Sequence, residues 1–258
     1  MMMMKNPVLD LIHAHGSVRR YKPDLVPASV VEAIVAAAQR ASTSSNMQTW
    51  SVVAVTAKET RSQLAELCGG QKHIVQAPVF LAWCADRYRI EQLNLMRGYQ
   101  HNAEYLENFL VATVDAAIAA QNAALAAESL GLGIYYIGGI RNNSASVIDL
   151  LGLPKHLFPI AGMTLGYPEN LAPVRPRLPQ DAILHWERYN PEQGDALHAY
   201  DQTMIETGIY KGRQVDVPGK EGEKMEEYGW LEHTARRTSQ PSRTELLSVV
   251  KAQGFGMK

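Results

Sequence analysis

The chain has 258 residues, 46% of them hydrophobic and 20% charged, which is ordinary for a soluble globular protein of one large or two small domains. The formal net charge of −1 gives no electrostatic reason to expect nucleic acid or an anionic membrane as a partner. The two cysteines form neither a CxxC pair nor a disulfide framework, which favours a reducing, cytoplasmic setting over a secreted one.

The first part of the chain predicts helices and strands in irregular order. The N-terminal residues lack the apolar core of a secretory signal, and a short helix is predicted at 7–14. Further helices are predicted at 30–41 and 58–67 from their apolar spacing. Strands are predicted at 51–56, where β-branched residues cluster, and at 77–85, whose continuous apolar run predicts a central place in a sheet.

The stretch 109–140 is apolar enough to resemble a membrane span. Four polar residues interrupt it: Asp115, Gln121, Asn122 and Glu128. Charged groups are costly at bilayer depth. The stretch therefore predicts a long helix, beginning near Glu104, that is buried inside a protein or at a subunit contact.

The second half predicts strands at 134–137 and 158–165 and helices at 144–151 and 244–252. Because there is no βαβ repeat and no Rossmann glycine fingerprint, the fold class is predicted to be α+β. The whole chain is expected to form a single domain, 1–258, with a mobile polar excursion at about 190–229.

The stretch from His15 to Tyr21 places a histidine, a hydroxyl and two arginines close together. An arginine fork binds phosphate oxygens bidentately, and a nearby positive charge stabilises an anionic ring nitrogen or carbonyl. His15, Ser17 and Arg19 are therefore candidate ligands of a phosphate-bearing molecule. A solvated basic turn is the alternative.

Four later segments carry polar groups of the same kind, and each has a simpler alternative. The hydroxyls at 43–45 could line a ligand or cap a helix. The Gln71 amide could hydrogen-bond to both carbonyl and N–H groups of a ligand, or it could simply lie on a surface loop. The glycines at 138–139 could let a flat ligand approach the backbone or form an ordinary turn. Arg175 and Arg177 point to one side of an extended stretch, which fits a phosphate clamp or a basic loop.

Familiar catalytic motifs are missing. There is no HExxH, no paired CxxC and no clustered His/Asp set for a metal, and no G-x-S-x-G elbow for a serine hydrolase. Without a protein nucleophile or an acid–base dyad, the pattern is consistent with a redox cofactor that carries the chemistry.

Six motifs, taken in order, resemble those of one known family. They are His15-x-Ser17-x-Arg19, the Ser/Thr run ending in Gln48, Gly70-Gln71-Lys72-His73, 126–133 (AAESLGLG), 136–142 (YIGGIRN) and 175–179 (RPRLP). The chain resembles the oxygen-insensitive, NADPH-dependent, FMN-containing nitroreductases and flavin reductases. The resemblance extends from about residue 7 to residue 254.

The resemblance implies a nitroreductase-like α+β fold, with a central mixed, mostly antiparallel sheet flanked by helices in an intertwined homodimer. Two FMN molecules would lie at the subunit interface, with the long apolar helix in the dimer core. The implied reaction is ping-pong: NADPH passes a hydride to flavin N5, NADP⁺ leaves, and a nitroaromatic, a quinone or a similar acceptor takes two electrons. A flavin reductase supplying a partner and a non-catalytic flavin-binding protein stay open as alternatives.

The resemblance also implies roles for particular residues and leaves the chemistry to FMN rather than to a catalytic side chain. Positions implied to contact FMN are His15, Gly16, Ser17, Arg19, Thr43, Ser44, Ser45, Gln71, Tyr136, Gly138, Gly139, Arg175 and Arg177. Positions implied for the acceptor or NADPH are Asn46, Lys211, Arg213 and Arg243. Arg19 would lie near the N1/O2 edge of the ring, where positive charge stabilises the reduced flavin.

The sequence departs from the family pattern in three places. Arg175 stands where lysine is usual, which preserves a phosphate contact. Asn46 stands where an aromatic residue is common, which predicts a more polar acceptor pocket. The excursion at 211–229 is longer than in the best-known members, where arginines of this loop grip the 2′-phosphate of NADPH. Lys211 and Arg213 are the candidates for that role here, and the choice between NADPH and NADH stays open.

Overall fold

The computed structural model describes residues 6–212, 216, 222–223, 228–256 and 258. The chain divides into two compact units. Met1–Val174 and Arg243–Lys258 form the first unit, and Arg175–Ser242 form the second. The single domain expected for the whole chain stays a prediction.

The described residues form ten α-helices. In chain order these are α1 (Pro7–His13), α2 (Ala28–Ala38), α3 (Lys58–Leu67), α4 (Lys72–Gln76), α5 (Tyr88–Arg97), α6 (Leu106–Ser129), α7 (Ser144–Leu151), α8 (Gly194–Glu206), α9 (Trp230–Thr238) and α10 (Leu246–Ala252). The helices α3 and α7 have the predicted bounds. The sequence did not predict α4, which is too short to show a helical period.

Four strands form one antiparallel sheet in the first unit. They are β1 (Trp50–Val55), β2 (Val79–Asp86), β3 (Gly133–Ile137) and β4 (Leu157–Gly166), in the spatial order β1-β2-β4-β3. All three pairings are antiparallel. Every residue of β2 is buried, as its apolar run predicted for a central strand. The predicted α+β class is confirmed.

The helix α6 is the core helix of the first unit. By length and composition alone it could cross a membrane. Its small side chains are instead buried against α2 and the sheet, mostly alanines at spacings of three and four. On the other side, a stripe of larger side chains at intervals of four is exposed: Leu106, Leu110, Val114 and Ile118.

The outer edge of β3 is partly covered by the chain after α1. Val18 N donates to Ile134 O at 2.9 Å, so the backbone of Ile134 faces away from β4. Gly133 is required there, because a Cβ would lie 2.5 Å from Val18. By the parity of a strand, the backbone of Tyr136 faces the same outer edge. This edge therefore offers backbone donors and acceptors next to the predicted glycine motif.

The second unit contains α8 and α9. Tyr200 and Met204 of α8 are buried, and the Tyr200 ring packs edge-on to Trp230 at 5.3 Å. Asp201 Oδ1 accepts from Leu231 N at 2.8 Å in the first turn of α9. The polar excursion predicted at 190–229 therefore contains a regular helix, which its few apolar residues and many glycines concealed. Most of 213–227 lies outside the described residues.

Candidate functional site

Arg19 stacks on an aromatic ring of β3. Its guanidinium carbon lies 4.2 Å from the centre of the Tyr135 ring, and His73 packs edge-on to the same ring at 4.8 Å. Burial, and after it the charge of Arg19, lower the pKa of His73 and so favour its neutral form. Arg19 is exposed and has no carboxylate partner among the described residues. Its charge is therefore open to an anion.

His15 is oriented by a carboxylate at the end of α6. Its Nδ1 lies 2.5 Å from Glu128 Oε1, a contact that fixes the plane of the imidazole. Gly16 follows and cannot carry a side chain, because a Cβ would lie 2.7 Å from Ala172 O. Ser17 is half-buried between His15 and the backbone bond to β3. The first motif is thus held at both ends.

Gln71 and the two glycines after β3 lie together. Gln71 Nε2 donates to Cys68 O at 2.7 Å. A Cβ on Gly139 would lie 2.5 Å from both Gln71 Nε2 and Cys68 O, so this glycine is required by packing within the protein. On Gly138 a Cβ would meet only guanidinium nitrogens at 3.6 Å or more, so the backbone there is open.

Arg243 joins this group from the C-terminal segment. Its side chain donates to Gly138 O at 3.2 Å and to Asn142 Oδ1 at 3.1 Å. Burial, and after it the charge of Arg243, lower the pKa of the neighbouring Arg141. Two guanidinium groups therefore lie beside the open backbone. We call the gathered residues the β3 cluster: His15, Gly16, Ser17, Arg19, Gln71, Tyr136, Gly138, Gly139 and Arg243.

The hydroxyl-rich segment leads into the opposite edge of the sheet. We call residues 43–49 the β1 loop; it contains Thr43 and a single 3₁₀ turn, Ser44–Asn46. Asp115 of α6 accepts from Ser44 N at 3.0 Å and from Thr49 Oγ1 at 2.7 Å. The Thr43 hydroxyl makes no cap bond at this turn, although Thr43 is its N-cap residue.

Within one chain, the β1 loop lies far from the β3 cluster. β1 and β3 are the two edges of the sheet, three strand spacings or about 14 Å apart. Along α6, Asp115 holds the loop and Glu128 holds His15, with about 20 Å between them at the helical rise per residue. The predicted site residues of the first unit therefore form two separate groups.

The remaining predicted residues belong to the second unit. Arg175 and Arg177 are exposed, and Arg177 donates to Arg175 O at 3.0 Å. Lys211 is exposed at the end of the described segment, and Arg213 lies outside the described residues. The roles of these four residues stay predictions.

Three residues that contact the site were noticed in the sequence as interruptions of an apolar helix, and Glu128 was noticed also as part of the motif at 126–133. Asp115 binds the β1 loop, Gln121 Oε1 accepts from the Tyr136 hydroxyl at 3.4 Å, and Glu128 binds His15. A polar residue on an otherwise apolar helix is rarely buried without a partner. That rule could have marked Asp115, which is buried, whereas it does not apply to Gln121, which is exposed.

Comparison with known proteins places the chain in a family. Residues 12–167 match the nitroreductase family, and residues 175–258 match the nitroreductase family C-terminal domain. The chain is 38% identical over 256 residues to the FMN reductase (NADPH) of Bacillus subtilis, with 97% of this chain and 98% of that protein covered. It is 36% identical over 253 residues to the oxygen-insensitive NADPH nitroreductase of Salmonella typhimurium, with 98% and 100% covered.

A solved structure agrees with the fold. The structure of NfrA2 from B. megaterium superposes with a TM-score of 0.91 at 33% identity, and 98% of this chain and 100% of that chain are covered. The predicted nitroreductase-like fold is confirmed. By sequence over its full length and by fold, the chain belongs to the nitroreductase family.

Proposed function

We propose that the protein is an FMN-dependent NAD(P)H oxidoreductase, with NADPH as reductant and nitroaromatics, quinones or similar small molecules as electron acceptors. The relatives named above are FMN reductases and NADPH nitroreductases. The observation that carries the proposal is Arg19, a cation with no carboxylate partner in the described part of the chain, stacked on Tyr135 beside an open glycine backbone.

The β3 cluster suits FMN by the chemistry of its donors. The ligand presents a flat ring whose edge carries carbonyls and ring nitrogens. Arg19 and Arg243 offer guanidinium donors, and His15 offers an imidazole that Glu128 holds in place. The open backbone at Gly138 and the outer edge of β3 at Tyr136 allow close approach of a flat group.

The chain would contribute position and electrostatics. Bound FMN would supply the two-electron chemistry between NADPH and the acceptor. Arg19 would hold positive charge where negative charge develops on reduction, which favours electron acceptance. The sequence-based assignment of Arg175 and Arg177 to the phosphate and of Lys211 and Arg213 to the 2′-phosphate of NADPH is kept as part of the proposal.

The functional test is spectroscopic. Purified protein is expected to be yellow, and to bleach when NADPH is added without oxygen. Colourless protein that FMN cannot reconstitute would overturn the proposal. Turnover with free FMN, compared with turnover on nitrofurazone and benzoquinone, separates the nitroreductase from the flavin reductase that the B. subtilis relative's name suggests. Binding of flavin without reduction by NADPH would indicate a storage protein.

We place the protein in the cytoplasm as a homodimer. Cys68 and Cys84 are both buried free thiols, which fits a reducing compartment. The exposed stripe of α6 adjoins a cavity of about 490 Å³ that Thr43, Ser44 and Asp115 also line. A second copy on this stripe would cover apolar surface, and it would explain why the β1 loop and the β3 cluster are separate in one chain.

The dimer has its own test. Val114→Glu combined with Ile118→Glu is expected to shift the mass in solution from twice the chain's 28.5 kDa to one copy, because two charges would be buried in the contact. Flavin content should fall with it, since the site would lose the partner's loop. Light scattering measures the mass, and Leu25→Glu, at a more exposed apolar site outside α6, serves as the control. A double variant that stays dimeric with bound flavin contradicts this contact.

A further inference from the structure

A single buried carboxylate holds both ends of the β1 loop. Asp115 is 2% exposed. Its Oδ1 accepts from Ser44 N at 3.0 Å, and its Oδ2 accepts from Thr49 N at 3.1 Å and from Thr49 Oγ1 at 2.7 Å. Among the described residues no cation pairs with it, so these three donors meet its charge. The two oxygens thus tie together two backbone positions that are close in sequence.

The backbone between those two positions adopts conformations that residues with a side chain rarely take. Ser45, Asn46 and Gln48 have φ angles of 49°, 55° and 53°. All three are exposed, so burial does not hold them in place. Arg89 adds one more anchor by donating to Gln48 O at 2.9 Å. The conformation of the loop tip therefore depends on hydrogen bonds at its base.

The tip presents a hydrogen-bond donor to the outside. Gln48 Nε2 donates to Asn46 Oδ1 at 3.3 Å. With its carbonyl oxygen engaged, Asn46 has its amide N–H groups left for an outside partner. Nitro groups and quinone carbonyls present oxygen acceptors to such donors, which is the chemistry of the proposed electron acceptors.

We propose that Asp115 is a positioning residue for the electron acceptor. By holding Ser44 and Thr49 together it fixes Asn46 so that the amide can donate to a nitro or carbonyl oxygen. Asp115 itself is buried and would act through the loop that it holds. This inference rests on the proposed function, because it takes the β1 loop as the acceptor side of the flavin site.

The first test is Asp115→Asn, measured on the FMN-saturated protein. Asparagine replaces one of the two carboxylate oxygens with an NH2 group, which would face either Ser44 N or Thr49 N as a second donor instead of accepting from it. We expect kcat/KM for nitrofurazone and for benzoquinone to fall about tenfold, mainly through KM, a loss equivalent to about 1.4 kcal/mol. The rate at which NADPH bleaches the flavin should stay within about twofold of the wild type, because the residues proposed to hold NADPH, Lys211 and Arg213, lie outside the β1 loop.

A second pair keeps the test informative if Asp115→Asn fails to fold. Thr49→Val removes the hydroxyl bond to Asp115 with little change in shape, and Thr49→Ser keeps that bond. We expect the valine variant to raise the acceptor KM about threefold and the serine variant to restore it. Thr113→Val is the matched control. Thr113 lies on α6, as Asp115 does, and its buried Oγ1 has no hydrogen-bond partner among the described residues.

The outcomes separate the two proposals. Acceptor kcat/KM at the wild-type level in Asp115→Asn, or in Thr49→Val where only that variant folds, overturns the positioning role. A lower melting temperature together with wild-type acceptor kcat/KM also overturns the positioning role, because a purely structural role for Asp115 predicts that combination. A wild-type protein that NADPH does not bleach overturns the proposed function instead, whatever the variants do.

Discussion

Replacing Arg19 with alanine is expected to weaken FMN binding about 10- to 100-fold and to slow reduction of the flavin by NADPH. The guanidinium has no carboxylate partner among the described residues and lies 4.2 Å from the Tyr135 ring centre, so an anionic ligand can use its full charge. A hydrogen bond to a charged group contributes about 1.5–3 kcal/mol, and each 1.4 kcal/mol is about a factor of ten. Quenching of FMN fluorescence gives the affinity, and anaerobic stopped-flow absorbance gives the rate.

The neighbouring Arg20 provides the control. Arg20→Ala removes the same charge one residue away, from an exposed side chain that makes no hydrogen bond or ion pair to the described residues. Its flavin content and reduction rate should match the wild type. Arg19→Lys keeps the charge without the planar fork and should give an intermediate result. Arg19→Ala protein with unchanged flavin content and reduction rate would refute the role of Arg19.

The second large effect is expected at Gly139. Alanine there would place a Cβ 2.5 Å from Cys68 O and from Gln71 Nε2, so the backbone of the Cys68 turn must shift. Overpacking of this kind costs about 1–3 kcal/mol. For a chain of this size we expect the melting temperature to fall by about 3–10 °C. FMN affinity should fall too, because the Gln71 amide is displaced. Differential scanning calorimetry of the apoprotein measures the first effect.

Gly138 is the matched comparison. An added Cβ would meet the nearest nitrogen, on Arg141, at 3.6 Å, an ordinary contact distance. Gly138→Ala should therefore keep the melting temperature of the apoprotein within about 2 °C of the wild type, a change below 1 kcal/mol. It should nevertheless weaken FMN binding, because the added methyl group would project from a stretch of backbone that we propose to face the flavin ring. Equal FMN affinity in Gly138→Ala and the wild type would argue against a flavin at this backbone.

Much of the secondary structure was predictable because its signals are local. The helices α3 and α7 have the predicted bounds, and the strands differ from prediction by two residues or fewer at either end. A helical or strand period is set by residues within one or two turns of each other, so it can be read from a short window. The helix α8 was missed because Tyr200 and Met204 are its only buried residues, which is too few to show a period.

The partners of the site residues were not predictable in the same way. The sequence pointed to His15, Arg19 and the hydroxyls of the β1 loop, but not to the residues that hold them. Ser44 and Asp115 are 71 positions apart, and His15 and Glu128 are 113 apart. Such contacts depend on how α6 packs against the sheet, and no local pattern reports that.

By itself, then, the sequence determined the α+β class, the position of most helices and strands, and the family, and it supplied the set of residues that we propose to bind a flavin. Only the tertiary structure decided how that set divides. The sheet order β1-β2-β4-β3 puts the β1 loop and the β3 cluster at opposite edges, and the length of α6 separates their anchors. The physical reason is that the residue type fixes which hydrogen bonds and charges a side chain can offer. Which side chains lie close together is set by packing between segments that are distant in sequence.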